Sequence, residues 1–310
     1  MLCHEPMDAE DRRRLVIGIG HCMAGHEDAI FMSLRSISKR VPRSLRPYVR
    51  RLDRSGEIRH RLGLTPAPEP GRVRFGDLRR TRPIASDFGY HRGGPVDRYY
   101  IESFLEHHAT DVRGRVLEVG DDSYTRRFGA DRVERADVLH VDDVDGATFT
   151  GDLAEGSFLP DDTFDCIILT QTLHLVYDFP AALRTIRRIL RPGGVLLLTV
   201  PGISNMDSGE WGSSWYYSFT HLALRRMAED SLSGFESEIT SYGNVLAAVA
   251  FLHGLSRDEL TIAELDDHHL PYSLIHALRA RRPAGEADDH PSGSDDGMRA
   301  VAATDRRGDP

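Results

Sequence analysis

The run Arg115-Val116-Leu117-Glu118-Val119-Gly120-Asp121-Asp122 constrains this chain more than any other stretch. Its apolar residues around Glu118 read as a buried strand, Gly120 lets the backbone turn sharply, and two carboxylates come directly after. In an open α/β sheet, ligands sit beyond the carboxyl ends of the strands, so a turn of this kind borders a small-molecule site. Glycine there tolerates positive φ and lets a ligand approach the backbone closely. A strand and turn with no ligand has the same local pattern. The residues downstream decide between the two.

Beyond Asp122 the chain alternates strand with helix. Strands are expected at Ala136 to Val141, Ala147 to Thr150, Phe164 to Leu169 and Val195 to Val200, with further ones at Ser237 to Tyr242 and Ser273 to Arg279. The run Phe164 to Leu169 is nearly all apolar, as a parallel strand buried on both faces is. Phe179 to Leu190 reads as a helix with Ala182, Leu183, Ile186, Ile189 and Leu190 on its apolar face, stopped by Arg191-Pro192-Gly193-Gly194. A helix from Val96 to His108, with Pro95 suited to its first turn, carries Tyr99, Ile101, Phe104, Leu105 and His108 on one side. Further helices are expected near His221 to Glu229 and from Asn244 to Leu252. Strands joined by crossover helices predict a parallel, three-layer α/β domain.

Composition narrows the class. The chain has 310 residues, 40% hydrophobic and 28% charged, with a net charge of -9, which is the balance of an ordinary globular protein and not of a nucleic-acid binder. Cys3, Cys22 and Cys166 form no disulfide framework or CxxC pair, and Cys166 lies in an apolar run as a core thiol; a reducing cytoplasm is the simplest inference. No apolar run approaches the length that spans a bilayer. Arg12-Arg13-Arg14 before Leu15 to Gly20 faintly resembles a signal peptide, but the run is rich in glycine and soon broken by His21, so export is not expected. Met23 and Met32 are alternative starts, which the intact mass of the native protein distinguishes.

Three regions are expected: a basic extension and linker over 1–74, the α/β domain over 75–281, and a disordered tail over 282–310. Between Ser33 and Arg82 fifteen Lys/Arg face four Asp/Glu. A basic arm of this kind can touch nucleic acid. Its sparse aromatics, Tyr48 and Phe75, favour the plainer reading, a solvated and partly helical extension ending at Thr65-Pro66-Ala67-Pro68-Glu69-Pro70. Ile17-Gly18-Ile19-Gly20 lacks the context of a dinucleotide fingerprint. The tail is rich in Gly, Pro, Ser, Asp and Ala.

Four strand ends carry polar residues that would rim one crevice: Glu118 to Asp122, Asp142-Asp143, Gly151-Asp152-Leu153, and Thr170-Gln171-Thr172-Leu173-His174. A carboxylate after the second strand suits ribose hydroxyls, and one after the third suits an adenine amine. The succession Phe164-Asp165-Cys166-Ile167-Ile168, Gln171-Thr172-Leu173-His174, Ala182-Leu183 and Ile189-Leu190-Arg191-Pro192-Gly193-Gly194-Val195-Leu196 resembles class I S-adenosylmethionine-dependent methyltransferases, in particular the methyltransferase type 11-like group. The resemblance covers Val116 to Val200 and extends more loosely to Arg279. It implies a Rossmann-like, seven-stranded, mostly parallel sheet whose last strand is antiparallel, with S-adenosylmethionine as cofactor. By position it places Glu118 and Gly120 at the methionine part, Asp142 (or Asp143) at the ribose, Asp152 with Leu153 at the adenine, and Gln171 near the sulfonium.

The chain departs from the family in two places. Only Gly120 remains of the usual glycine series, with Asp122 and Tyr124 at the later positions, so Asp122 either crowds the cofactor or meets its ammonium group. Only Val144-Asp145-Gly146 separates the second and third strands, where a parallel crossover normally takes a dozen residues or more. For transfer itself, His174 lies just past the fourth strand, where a general base would reach an acceptor hydroxyl; a packed histidine is the plain alternative, and His221 a weaker candidate. His268-His269 beside Asp266-Asp267 read as a solvated loop and not a metal site. Trp211, Trp215 and Tyr216, in the loop after the fifth strand, are candidates for acceptor binding, and Tyr90 and Arg92 for cover over the cofactor. The expected function is methylation of a small molecule at the hydroxyl of a sugar or secondary metabolite. The alternative is a non-catalytic binding or assembly protein. Nucleic-acid methylation lacks an Asn/Asp-Pro-Pro-aromatic motif after the fourth strand.

Overall fold

Val116 and Leu117 are neighbours in sequence and both fully buried, yet they face opposite sides of one sheet. This alternation sets the architecture of the computed structural model, which describes residues 68 and 70–284. The chain divides into two compact units, Met1–Gly76 and Asp77–Pro310. The basic arm lies outside the described residues, as does the tail from residue 285 onward. The second unit holds the sheet. Its strands are β1 (Gly114–Val119), β2 (Val133–His140), β3 (Phe149–Thr150), β4 (Phe164–Thr170), β5 (Leu190–Pro201), β6 (Glu236–Tyr242) and β7 (Ile275–Arg281). Their order across the sheet is β3-β2-β1-β4-β5-β7-β6, and only β7 runs antiparallel to its neighbours. That is the sheet expected from the resemblance.

One face of the sheet is covered by α1 (Val96–His107) and α4 (Val245–Leu252), packed on Val116, Cys166, Ile168 and Leu197. The other face carries α2 (Phe179–Ile189) and α3 (His221–Ser231), packed on Leu117, Ile167, Leu196 and Leu198. A short helix α5 (Ile262–Leu265) comes after α4. Three of these helices have a local reason to start. Asp178, Thr220 and Asn244 accept backbone N–H groups of the first turns of α2, α3 and α4. Pro95 is the cap of α1 and not part of its first turn, being extended at ψ 147°.

Two boundaries differ from expectation for identifiable reasons. Arg191-Pro192-Gly193-Gly194 does end α2, but it belongs to β5. Phe164 pairs with Leu190 and Cys166 with Val195, so these four residues bulge out against Asp165. Gly193 takes φ 80° there, and Arg282 continues the ladder by donating its N–H to the Gly194 carbonyl at 2.9 Å. Proline is tolerated in a strand at such a bulge. The second difference is at the opposite edge, where β3 is two residues long and is reached from β2 without a helix. Thr148 stitches this short return by donating its N–H to the Val138 carbonyl at 2.8 Å and accepting the Val138 N–H at 3.1 Å.

Candidate functional site

The carboxyl ends of β1, β2, β3, β4 and β5 open onto a cleft of about 1170 Å³. Ligand sites for one drug-sized molecule run ~300–1,000 Å³, so the cleft has room for a cofactor and an acceptor side by side. Glu118, Gly120, Asp152, Leu153, Gln171, His174, Trp211, Trp215 and Tyr216 all line it. The topology alone brings these residues together from separate stretches of the chain.

Glu118 is buried at the end of β1 and accepts two backbone amides, Tyr124 N–H at 3.2 Å and Thr125 N–H at 2.7 Å. Both oxygens are thereby spent on pinning the turn after β1. Burial still outweighs these bonds and pushes its carboxyl up to about 7. Gly120 turns at φ 103°, and nothing stands within 4 Å of where a Cβ would project. The space beside it is open.

Asp122 is not part of this wall. Its carboxylate pairs with Arg126 at 2.6 Å, one helical turn on, and it is Asp121, Ser123 and Tyr124 that line the cleft. It therefore neither crowds the cleft nor faces it. Asp142 is likewise displaced. It is exposed and absent from the lining, and its backbone meets the Nδ1 of His140, which lines the cleft together with Val141. Asp143 is also exposed and off the wall. At the end of β3 the expected geometry is present. Gly151 adopts φ 146°, where a Cβ would strike the Phe158 ring at 2.6 Å. Asp152 comes next, accepting the Ala154 N–H at 2.8 Å, and Leu153 is buried.

Gln171, after β4, is held at φ 47°, a left-handed conformation that costs a non-glycine residue about 1–2 kcal/mol. Its N–H bonds to the Thr199 carbonyl at 3.0 Å and its side-chain amide donates to Thr199 Oγ1 at 3.3 Å. Backbone strain concentrated at a strand end is a mark of a working site. His174, three residues on, is 2% exposed, and its Nδ1 has no hydrogen-bond partner. Burial depresses its pKa to about 4, so the imidazole is neutral at pH 7.

The aromatic loop after β5 is built onto this histidine. The His174 carbonyl accepts the N–H of Tyr216 at 3.0 Å and of Tyr217 at 3.3 Å, and the Trp215 ring lies 4.3 Å from the imidazole. Phe88 stacks on Trp215 at 6.1 Å and meets Phe251 at 5.7 Å, closing one wall. Tyr90 lines the cleft, whereas Arg92 does not: its guanidinium is held by Glu259. His221 stands elsewhere, in a row where Arg225 donates to its Nε2, its Nδ1–H donates to Ser241 Oγ, and that hydroxyl donates to His276 Nδ1.

Sequence reasoning missed Asp97, Arg98, Asp121 and His140 as lining residues. For Asp97 and Arg98 a signal existed, a charged pair close after Pro95 at the start of a helix otherwise read for its apolar face.

Residues 97–234 match the model of a methyltransferase domain family. Among curated proteins, the chain is 26% identical to the arginine-hydroxylase NDUFAF5 of Danio rerio, over 44% of this chain and 40% of that protein. It is 32% identical to the ubiquinone/menaquinone biosynthesis C-methyltransferase UbiE of Escherichia coli, over 32% of this chain and 49% of that one. The chain thus spans less than half the length of these relatives. Among solved structures, an S-adenosylmethionine-dependent methyltransferase from Mesorhizobium loti superposes with a TM-score of 0.43 at 18% identity, over 61% of this chain and 99% of that one.

Proposed function

We propose that this chain, whose residues 97–234 belong to the class I S-adenosylmethionine-dependent methyltransferases, methylates a hydroxyl of a small molecule, a sugar or a secondary-metabolite scaffold. The observation that carries the reading is His174: a buried, neutral imidazole with an unpartnered nitrogen, seated in the cleft beneath an aromatic loop. The residues present fit the cofactor, with open space beside Gly120, an adenine-side carboxylate at Asp152, and a turn that Asp122 leaves clear. S-adenosylmethionine supplies an electrophilic methyl group when bound. Leu153 and Asp152 would hold its adenine, and Gln171 and Gly120 its methionine part, while Glu118 keeps the turn in place.

The protein's main task in such a transfer is alignment of the acceptor oxygen. A neutral imidazole accepts a hydrogen bond from the acceptor hydroxyl and so fixes the direction of its lone pair. As the oxygen–methyl bond forms, the hydroxyl proton passes to the histidine nitrogen and on to solvent. A base with a pKa this low contributes modestly to proton removal, so orientation is its larger part. Trp211, Trp215 and Tyr216 offer flat apolar faces for a ring-shaped acceptor. A small-molecule acceptor as partner and a cytoplasmic location go with this reading; among the described residues no helix is long and apolar enough to cross a membrane.

Calorimetric titration with S-adenosylmethionine and S-adenosylhomocysteine, wild type beside Asp152→Ala, is the test. Saturable binding that weakens in the variant supports the reading and leads to a screen of hydroxylated acceptors. No heat at millimolar cofactor overturns it and returns the non-catalytic assembly protein as the better account.

A further inference from the structure

Asp97 and Arg98 lie in the first turn of α1, and both line the cleft. Asp97 is nine-tenths buried, and its Oδ1 has no hydrogen-bond partner. An uncompensated buried carboxylate is costly, and native proteins retain one chiefly where a ligand completes it. Arg98 is unpaired in the opposite sense. Among the described residues no carboxylate lies within ion-pair distance of it, and its five-donor guanidinium meets only two phenol oxygens, Tyr90 at 3.1 Å and Tyr124 at 3.4 Å. Tyr124 belongs to the turn after β1, so Arg98 bridges directly to the end of the cleft where Gly120 turns. One anion and one cation, adjacent and unsatisfied, match a zwitterion.

The neighbouring acids are already engaged. Glu118 is committed to two backbone amides, Asp121 to the Ser123 N–H at 2.7 Å, and Asp122 to Arg126. Glu102, the other acid near Asp97, pairs with Arg127 at 3.1 Å and Arg257 at 3.2 Å. Burial also holds the Asp97 carboxyl above its usual range, which an arriving ammonium group would reverse.

We infer that Asp97 receives the ammonium and Arg98 the carboxylate at the amino-acid end of the cofactor, in place of the glycines missing after β1. The inference rests on the S-adenosylmethionine reading above and names residues that reading did not use. Recognition of the zwitterion moves from a backbone loop to two side chains on the helix that precedes the sheet.

The experiment measures affinity by calorimetry on the full chain, with probes that differ only at the amino-acid end. S-adenosylhomocysteine carries both charges, and 5′-methylthioadenosine carries neither. For Asp97→Asn and Arg98→Gln we expect S-adenosylhomocysteine to weaken about tenfold or more, as loss of a charged hydrogen bond does, with 5′-methylthioadenosine unchanged. Decarboxylated S-adenosylmethionine separates the two roles, weakening with Asp97→Asn and not with Arg98→Gln. Equal S-adenosylhomocysteine affinity in wild type and variants overturns the inference and leaves the cofactor reading standing. Parallel loss of both probes overturns it too, because these residues then act on the fold. A wild type that binds neither probe removes the cofactor reading itself.

Discussion

Glu118 holds the N–H of Thr125 at 2.7 Å, from a carboxylate buried at the end of β1. This bond makes the turn beside the cleft depend on a side chain rather than on glycines. Its acid–base behaviour is measurable. Burial raises the folded pKa from 4.5 to about 7, so the folded state takes up a proton more readily than the unfolded chain. The associated stability is fully present below the unfolded pKa and is lost as pH rises through about 7. A shift of this size is worth at most about 3 kcal/mol. Glu118→Gln is expected to remove this part of the pH dependence of the melting temperature between pH 5 and 8. A variant profile parallel to that of the wild type would contradict it.

The histidines act with the opposite sign. Burial lowers His174 and His276 to about 4, so the unfolded chain binds protons first as pH falls. Their contribution is full above about pH 6.5 and disappears as pH drops through 4. Urea unfolding of His276→Gln should show a shallower loss of stability between pH 6 and 4.5 than wild type. The comparison with a single variant matters because Glu118 titrates the other way over an overlapping range.

For the acceptor reaction, His174→Ala is expected to lower turnover about 10²-fold, at the low end of what a positioned proton acceptor supplies. Cofactor affinity should stay at the wild-type value. A matched loss of cofactor binding would mean that the Trp215 contact at 4.3 Å supports the cleft's shape instead.

Two acids close together in sequence should behave differently. Asp152→Ala is expected to weaken cofactor binding about tenfold, the scale of one charged hydrogen bond. Asp142→Ala should leave it unchanged, since His140 and Val141 are the lining residues at the end of β2. Titrations of the two variants side by side decide this.

The sheet was legible because its central strands are unbroken apolar runs ending in glycine or a polar residue, and burial on both faces leaves such a run few alternatives. The bulge at Arg191-Pro192-Gly193-Gly194 was not, because it depends on Leu190 reaching a partner, Phe164, across the sheet. The site was legible by strand end and not by side-chain direction. Asp121 and Asp122 are adjacent and chemically the same, and only the ion pair with Arg126 determines that Asp122 turns away. Asp97 and Arg98 were hidden for another reason: the helix was read for its apolar stripe, which this charged pair interrupts.

The two outer strands bear on self-association. An open sheet presents unpaired backbone at each margin, where another chain can add a strand. Here one margin is β3, only two residues long, and the other is β6, which carries Glu236 and Glu238 on its exposed half. A two-residue template and a charged one are both poor seeds for β-augmentation. Copies of this domain should therefore meet through helices or loops, and resist the edge-to-edge stacking that leads to fibrils.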